Sequence, residues 1–267
     1  MDRDELDLGA ARASKELRDQ LAQMTMASQM LERNAWDPKG KGYLAALNQS
    51  ICRMLRIVGR LELCERLARG DAELECAPVD LAALTAELGG RMESLLDWAE
   101  VELAVRCPER LLAWADGMLV EQLLLELTAN AARAAKTTKD GNWVTVTLEQ
   151  VRDMAVFTVE DGGPGVPPGQ AERLFPQNGG EQPPDWRKSG NGIAVAQRIA
   201  RLHGGALVAF CAPGRGLRVS ASIPLNQGRG EGFEEPGPGF DEGGFDPALV
   251  GLSHLLPAEV FRPEDYE

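Results

Sequence analysis

The sequence has few of the residues on which metal sites and disulfide frameworks depend. It contains only two histidines and five cysteines in 267 residues, and no two cysteines form a C-x-x-C pair. This pattern supports neither a zinc site nor a disulfide framework. We therefore interpret the cysteines as reduced thiols that are mostly buried in the folded chain.

Long apolar runs and a basic leader are also lacking. The most apolar stretch, residues 119–135, is interrupted by Glu121, Gln122 and Glu126, so it is too polar to span a bilayer. The first residues, MDRDELDLG, are acidic and are unlike the n-region of a secretory signal. These features predict a cytoplasmic protein with no membrane partner.

Excess positive charge is absent as well. The formal net charge of −13 argues against nucleic acid as a partner, because binding to phosphate backbones needs a basic surface. Residues 226–267 hold ten acidic and two basic residues, a net of −8, so the tail carries most of this charge. Because much of this stretch is Gly, Pro and acid, we predict a disordered tail over residues 226–267, in which only PALVGLSHLLPAEVF suggests a short docking helix.

The first 72 residues predict a helical hairpin. Residues 10–36 and the residues after a WDPKGKG break each carry apolar or small residues at heptad-like spacing. The two stripes are Leu17, Leu21, Met24, Ser28 and Leu31, then Leu44, Leu47, Ile51, Met54, Val58 and Leu61. Two such helices cannot bury their stripes alone, so we predict a homodimer in which two hairpins form a four-helix bundle. The alternative is a hairpin that packs on the chain's own second domain.

Residues 73–225 alternate between strand and helix patterns. Six stretches read as strands, and helices are predicted at about residues 80–98, 116–135 and 192–203. Strands that alternate with helices indicate an α+β domain built as a two-layer α/β sandwich.

The helix LVEQLLLELTANAARAA carries polar residues on one face. Glu126 and Asn130 are four residues apart, so their side chains lie one helical turn from each other. A carboxylate and an amide oxygen suit a magnesium ion, and Glu126 is also a candidate catalytic base. Arg133 lies near the same face and can meet a phosphate. A solvated patch on a surface helix is the alternative.

Two glycine-containing turns follow. In VEDGGPGVP, a strand ends at Asp161 and continues into Gly163 and Gly165, which let the backbone approach a ligand closely. A buried carboxylate there can accept from an exocyclic amine such as that of adenine. An ordinary Gly-Pro turn is the alternative.

The second turn lies beyond a stretch that reads as a mobile lid. Phe175 in RLFPQ opens this polar stretch, for which a long surface loop is the alternative. In SGNGI, Gly190 and Gly192 precede a helix whose N-terminus favours an anion. His203, at the end of that helix, is predicted to be structural and to complement the helix dipole.

Together, these motifs carry a family resemblance. The order ELTANA, DGGPG, LF, SGNGI, LHGG, PGRG and SIPL resembles the ATP-binding domain of bacterial sensor histidine kinases, a branch of the Bergerat-fold superfamily. The resemblance implies ATP and Mg²⁺ as ligands, with Mg²⁺ held by Asn130 and adenine read by Asp161. It also implies that Gly163 and Gly165 shape the adenine pocket, and that Gly190 and Gly192 meet the phosphates.

The hairpin resembles the dimerisation and phosphotransfer domain of the same family, with one decisive departure. In SKELRDQL, Lys15 stands where the family carries its phosphoacceptor histidine, and Gln20 replaces a proline. An ammonium group is protonated near neutral pH and is no phosphoryl acceptor. Within the ATP-binding domain, Lys188 replaces a lid glycine and Leu217 replaces a threonine that helps Asp161 to hold adenine.

Three functions fit these residues. The first is a dimeric histidine-kinase-like protein that binds Mg-ATP, lacks its own acceptor and acts on a response regulator or another signalling protein. The second is a serine/threonine kinase of the anti-sigma-factor type, with Glu126 as its base. The third is a scaffold in which the nucleotide only stabilises the fold.

Overall fold

The computed structural model describes most of the chain, in seven stretches. These are residues 3–32, 37–69, 74–138, 140–166, 192–211, 216–225 and 245–262. Within these stretches, no helix is both long enough and apolar enough to cross a membrane.

Internal contacts divide the chain into two units. One unit, here called the hairpin unit, combines residues 1–72 with residues 240–267. The other, the sandwich unit, comprises residues 73–239.

The hairpin unit contains two long helices that pack on each other, α1 (Arg3–Glu32) and α2 (Pro38–Arg69). The predicted break over residues 36–42 is wrong from Pro38 onward. Proline is tolerated in the first turn of a helix, because an N–H group at that position would have no acceptor within the helix. The Asp37 carboxylate accepts from the Gly40 N–H at 2.7 Å and so caps the N-terminus of α2.

Only part of each predicted stripe is buried between these helices. Helix α1 buries Leu21, Thr25 and Ser28, whereas Leu17, Met24 and Leu31 are each at least 40% exposed. The buried residues of α2 are Leu44, Ala45, Asn48, Ile51, Cys52, Leu55 and Val58. Met54 is 37% exposed, so the apolar spacing includes residues that the hairpin unit itself does not cover.

The C-terminal segment Phe245–Arg262 is folded, so the predicted disordered tail does not extend to it and the short docking helix predicted for PALVGLSHLLPAEVF is confirmed. It contains helix α6 (Pro247–Leu252) and a 3₁₀ turn (Ala258–Phe261), both packed on α2. The Asp246 carboxylate caps α6 by accepting from the N–H groups of the next two non-proline residues. The tail composition that predicted disorder is concentrated before Phe245, in residues that lie outside the described stretches, whereas the segment itself is rich in apolar side chains.

Seven strands build two sheets in the sandwich unit. Their bounds are β1 Ala77–Asp80, β2 Glu102–Arg106, β3 Leu112–Ala115, β4 Trp143–Val151, β5 Met154–Asp161, β6 Leu207–Cys211 and β7 Leu217–Pro224. β1 and β3 form an antiparallel pair, and the others form a five-stranded sheet in the order β2-β4-β5-β7-β6. β3 was not predicted because LLAWA is apolar throughout and shows no polar–apolar alternation.

Three helices pack on the five-stranded sheet and bury one of its faces. These are α3 (Leu81–Asp97), α4 (Gly117–Ala135) and α5 (Gly192–Leu202), and all three were predicted to within about two residues. Along β4, β5 and β7, buried and less buried side chains alternate. The predicted two-layer α/β sandwich is therefore confirmed.

Candidate functional site

Helix α4 is fixed at its start by a buried carboxylate. Asp116 is only 6% exposed, and its side chain accepts from the Leu119 N–H at 3.1 Å and from the Glu75 N–H at 3.2 Å. These bonds satisfy an orphan donor at the helix N-terminus and connect the helix to Glu75, two residues before β1. They hold α4 at a fixed rotation, which in turn fixes the face that carries the predicted site residues.

Glu126, Asn130 and Arg133 lie on that face as the spacing predicts. The Glu126 side chain is 7% exposed and accepts from Gln122 Nε2 at 3.1 Å. The Asn130 Oδ1 accepts from the Arg133 guanidinium at 2.6 Å. A carboxylate oxygen and an amide oxygen thus stand one turn apart beside a fixed cation, a donor set that suits a hard divalent cation and its phosphate ligands.

Strand β5 delivers Asp161 to the helix-facing side of the sheet. Ala155, Phe157 and Val159 are buried on this side, and Asp161 continues the same row at two-residue spacing. The alternation therefore directs a carboxylate inward, where it is only 2% exposed. A polar side chain at this depth needs partners.

Two backbone N–H groups supply these partners. Asp161 Oδ1 accepts from the Gly163 N–H at 2.9 Å, and the Leu217 N–H also bonds this carboxylate. Burial raises the pKa of Asp161 above its usual value, and the two backbone hydrogen bonds oppose that rise. Two backbone donors use only part of the roughly four lone-pair sites of a carboxylate, so Asp161 keeps acceptor capacity for an external donor.

The loop after Asp161 packs directly against α4. A Cβ at Gly163 would lie 2.9 Å from the Ala134 Cβ and 2.7 Å from Asp161 Oδ1, so only glycine fits. Ala134 follows Asn130 by one turn on the same face. The loop is thereby held beside the polar face of α4, and Gly165 continues it with a φ of +70°, which favours glycine.

One supporting glycine was missed by the sequence reasoning. Gly216 has a φ of +74°, and a Cβ there would lie 1.7 Å from the Asp161 carbonyl oxygen. It therefore allows the start of β7 to approach Asp161 closely. Its signal was present in PGRG, but the register between β5 and β7 is needed to see which residue it faces.

A comparison with protein families identifies this arrangement. Residues 115–227, which span α4, Asp161 and the start of α5, match the model of the histidine kinase-, DNA gyrase B- and HSP90-like ATPases. Residues 115–227 form a domain of this ATPase family.

Individual relatives of this ATPase-domain chain are sensor kinases. The chain is 30% identical over 221 residues to the sensor histidine kinase MtrB of Mycobacterium bovis, covering 80% of this chain and 38% of MtrB. It is 31% identical over 157 residues to the adaptive-response sensory kinase SasA of Parasynechococcus marenigrum, covering 57% and 40%. The chain thus spans well under half the length of these curated relatives.

A solved structure gives the same result. Full-length ShkA in complex with AMPPNP superposes with a TM-score of 0.63 at 26% identity, covering 81% of this chain and 45% of ShkA. These matches confirm the predicted histidine-kinase-like ATPase domain and its Bergerat-type sandwich.

Some predicted residues of the ATPase domain lie outside the described stretches. These are Phe175, Lys188 and Gly190. Gly192 is described as the buried first residue of α5, which packs on α4. Lys15 lies within α1, but its side chain is not among those described.

His203 is structural in this domain, but its geometry differs from the predicted dipole contact. It is 1% exposed, its Nε2 accepts from the Asp116 N–H at 3.2 Å, and its Nδ1 lies 2.9 Å from the Ile199 carbonyl oxygen. These partners require the neutral tautomer with the proton on Nδ1. The ring therefore connects the end of α5 to the start of α4 by hydrogen bonds, without a cationic contribution to the helix dipole.

Proposed function

We propose that this chain is a histidine-kinase-like signalling protein that binds Mg-ATP but does not phosphorylate itself on histidine. The observation that carries the nucleotide site is the buried Asp161 carboxylate, held by two uncharged backbone donors beside the polar face of α4. An acceptor in this position matches the exocyclic amine of adenine. Gly163 and Gly165 give the base room to approach the backbone.

Magnesium and the phosphates fit the other end of the same face. Asn130 and Glu126 would hold the ion through their oxygens, and the ion would neutralise phosphate charge when bound. A metal ligand at Asn130 Oδ1 competes with the Arg133 donor, which leaves the guanidinium available for a phosphate oxygen. Gly192 and the N-terminus of α5 add backbone N–H groups with a favourable dipole.

The proposal that the chain lacks a phosphoacceptor rests on the small number of histidines and on where the two histidines lie. His203 is buried with both ring nitrogens engaged, and His254 belongs to the C-terminal segment packed on α2. Lys15 takes the acceptor position and is a poor nucleophile while protonated. Phosphoryl transfer depends on positioning, so a histidine elsewhere does not replace it.

Homodimerisation is supported by apolar residues that the hairpin unit leaves uncovered. Leu17, Met24 and Leu31 recur every seven residues along α1 and are 50%, 40% and 41% exposed. A row with this spacing fits a second helix pair. A dimer with a response regulator or another signalling protein as its partner is what the resemblance to the sensor histidine kinases implies, and the cytoplasm is its predicted location.

One observation favours a serine/threonine kinase as a second candidate. Glu126 is a buried carboxylate oriented by Gln122, as a general base for a partner's hydroxyl requires. Leu217 bears on the third function, the scaffold, because its side chain cannot replace the threonine that helps to hold adenine. Its backbone N–H nevertheless bonds Asp161, so the substitution leaves the carboxylate supported.

Incubation with γ-labelled ATP tests the proposal. Wild-type protein should remain unlabelled on histidine, whereas Lys15→His combined with Gln20→Pro should acquire an acid-labile label. Acid-labile label on the wild type would overturn the missing-acceptor proposal, and His254→Ala would show whether His254 had carried it. Label on a serine or threonine of an added extract would favour the second candidate. No label in the double variant would favour the scaffold.

A further inference from the structure

Helix α2 carries a row of polar side chains that are directed to the C-terminal segment. Asn48 Nδ2 donates to the Phe261 carbonyl at 3.3 Å, and Gln49 Nε2 donates to the Leu256 carbonyl at 2.8 Å. Arg53 Nε donates to the Ser253 carbonyl at 3.3 Å. Residue numbers rise along α2 as they fall along the segment, so the two run antiparallel.

Two of these three carbonyls lie at the ends of the short helices, where no donor within the helix can satisfy them. Ser253 is the C-cap residue of α6, and Phe261 ends the 3₁₀ turn. The last carbonyls of a helix have no partner within it. Donors from α2 therefore replace water at positions where the segment alone would leave its backbone exposed.

Apolar burial accompanies the polar contacts. Most of the apolar residues of the segment are at most 8% exposed: Phe245, Ala248, Leu249, Val250, Leu252, Leu255, Leu256, Val260 and Phe261. Helices this short are unstable in isolation, since nucleation is costly and few bonds are gained. The segment thus has the properties of an amphipathic ligand that is ordered on its surface.

Asn48 connects this ligand to the rest of the hairpin unit. It is fully buried, its Oδ1 accepts from the Ser28 hydroxyl of α1, and its Nδ2 bonds the segment. One side chain therefore links three parts of the chain. A buried amide of this kind sets register, because shifting the segment removes the partner of its Nδ2 donor.

The segment does not cover all the apolar side chains of α2. Gln49 and Arg53 are directed to the segment, whereas Met54 is 37% and Ile57 50% exposed. A docked segment is therefore compatible with a second copy packed against the exposed row of the hairpin.

We propose that the side of α2 carrying Asn48, Gln49 and Arg53 is a docking groove, and that residues 245–262 are its reversible, intramolecular ligand. Residues 226–244 connect this ligand to the ATPase domain, so docking attaches both ends of that domain to the hairpin unit. A covalent connection raises the effective concentration of the ligand, which keeps it docked even when its intrinsic affinity is modest. The gain from burial is opposed by the entropy of ordering the segment, which makes release accessible.

Cutting the connection tests this directly in the full chain. A specific protease site is inserted within residues 226–244, and the cleaved protein is examined over a dilution series. The C-terminal fragment should co-elute with the rest at high concentration, dissociate on dilution and be displaced by a synthetic peptide of residues 245–262. The hairpin helices should stay folded after release, as circular dichroism would report.

Gln49→Ala should weaken fragment binding at least threefold, because it removes one donor to the ligand. Ser50→Ala is the matched control, since the Ser50 hydroxyl donates to the Ala46 carbonyl within α2, and should leave binding unchanged. Dissociation at every concentration would show that no docking groove exists. A fragment that never leaves, or a hairpin that unfolds when it leaves, would show a permanent structural part. This experiment does not measure nucleotide binding, so a result against the docking groove would not contradict the proposed function.

Discussion

The two units of this chain complete their cores in different ways. The sandwich unit buries one face of its sheet with helices that alternate with the strands along the chain, as α4 does between β3 and β4. In the hairpin unit, part of α2 is instead covered by Phe245–Arg262, which lies beyond the whole ATPase domain in the chain. The hairpin unit also leaves one apolar row exposed on α1. The core of the sandwich unit forms between elements that are close in sequence, so its fold could be predicted from the sequence. Part of the core of the hairpin unit forms between elements that are far apart in sequence, so it could not.

The largest expected effect falls on the core of the hairpin unit. Ile51 is fully buried, so Ile51→Ala should lower the free energy of unfolding of this unit by about 2–5 kcal/mol. Ile57→Ala, on the same helix at 50% exposure, should change it by less than about 0.5 kcal/mol. Amide hydrogen exchange resolved by peptide would assign the loss to the hairpin unit. Equal effects for the two variants would contradict the described packing of α2.

The second prediction is a loss of stability that is confined to the sandwich unit. Gly216→Ala places a Cβ against the Asp161 carbonyl at a φ of +74°, and should cost about 1–3 kcal/mol in unfolding free energy. Gly90→Ala is the control, because nothing lies within 4 Å of its Cβ position in α3. That change should stabilise the helix by about 1 kcal/mol. Denaturant titration measures both, and a neutral Gly216→Ala would refute the close approach.

A third prediction addresses the exposed row of α1. Met24→Asp with Leu31→Asp should weaken self-association at least tenfold, about 1.4 kcal/mol, because charges would replace the apolar contact between copies. Met26→Asp with Met30→Asp is the matched control, since both residues are 67–68% exposed on the other side of the helix. Sedimentation equilibrium provides the measurement. A wild type that stays monomeric at micromolar concentration would exclude the dimer.

Residue-level outcomes show what the sequence could and could not predict. The alternation of β5 and the spacing of α4 were sufficient to place Asp161, Asn130 and Glu126, because both patterns are local. Gly216 was missed, since its role depends on the pairing of β5 with β7. A short helix at the end of the chain was predicted, but its docking surface was not, because the residues of α2 that bond Phe245–Arg262 lie about two hundred positions away.

The smallest effect is a pH dependence confined to the sandwich unit. Burial raises the folded-state pKa of Asp161, so the unfolded chain ionises first as pH increases. The unfolding free energy should therefore be highest below about pH 4, the usual value for aspartate, and decrease as pH rises through the raised pKa. Asp161→Asn should remove this part of the slope. Denaturation of both proteins from pH 3.5 to 7 checks it, and identical profiles would mean that Asp161 does not titrate as described.

Calorimetric titration of Mg-ATP tests the central claim, an adenine site built on Asp161. Wild type should bind one nucleotide per chain, and Asp161→Asn should weaken binding by about 1–3 kcal/mol, the typical cost of an unsatisfied buried polar contact. Asp153→Asn, which removes the same charge from an exposed turn before β5, should bind as wild type does. Equal affinity in all three proteins would contradict the assignment of Asp161 to adenine.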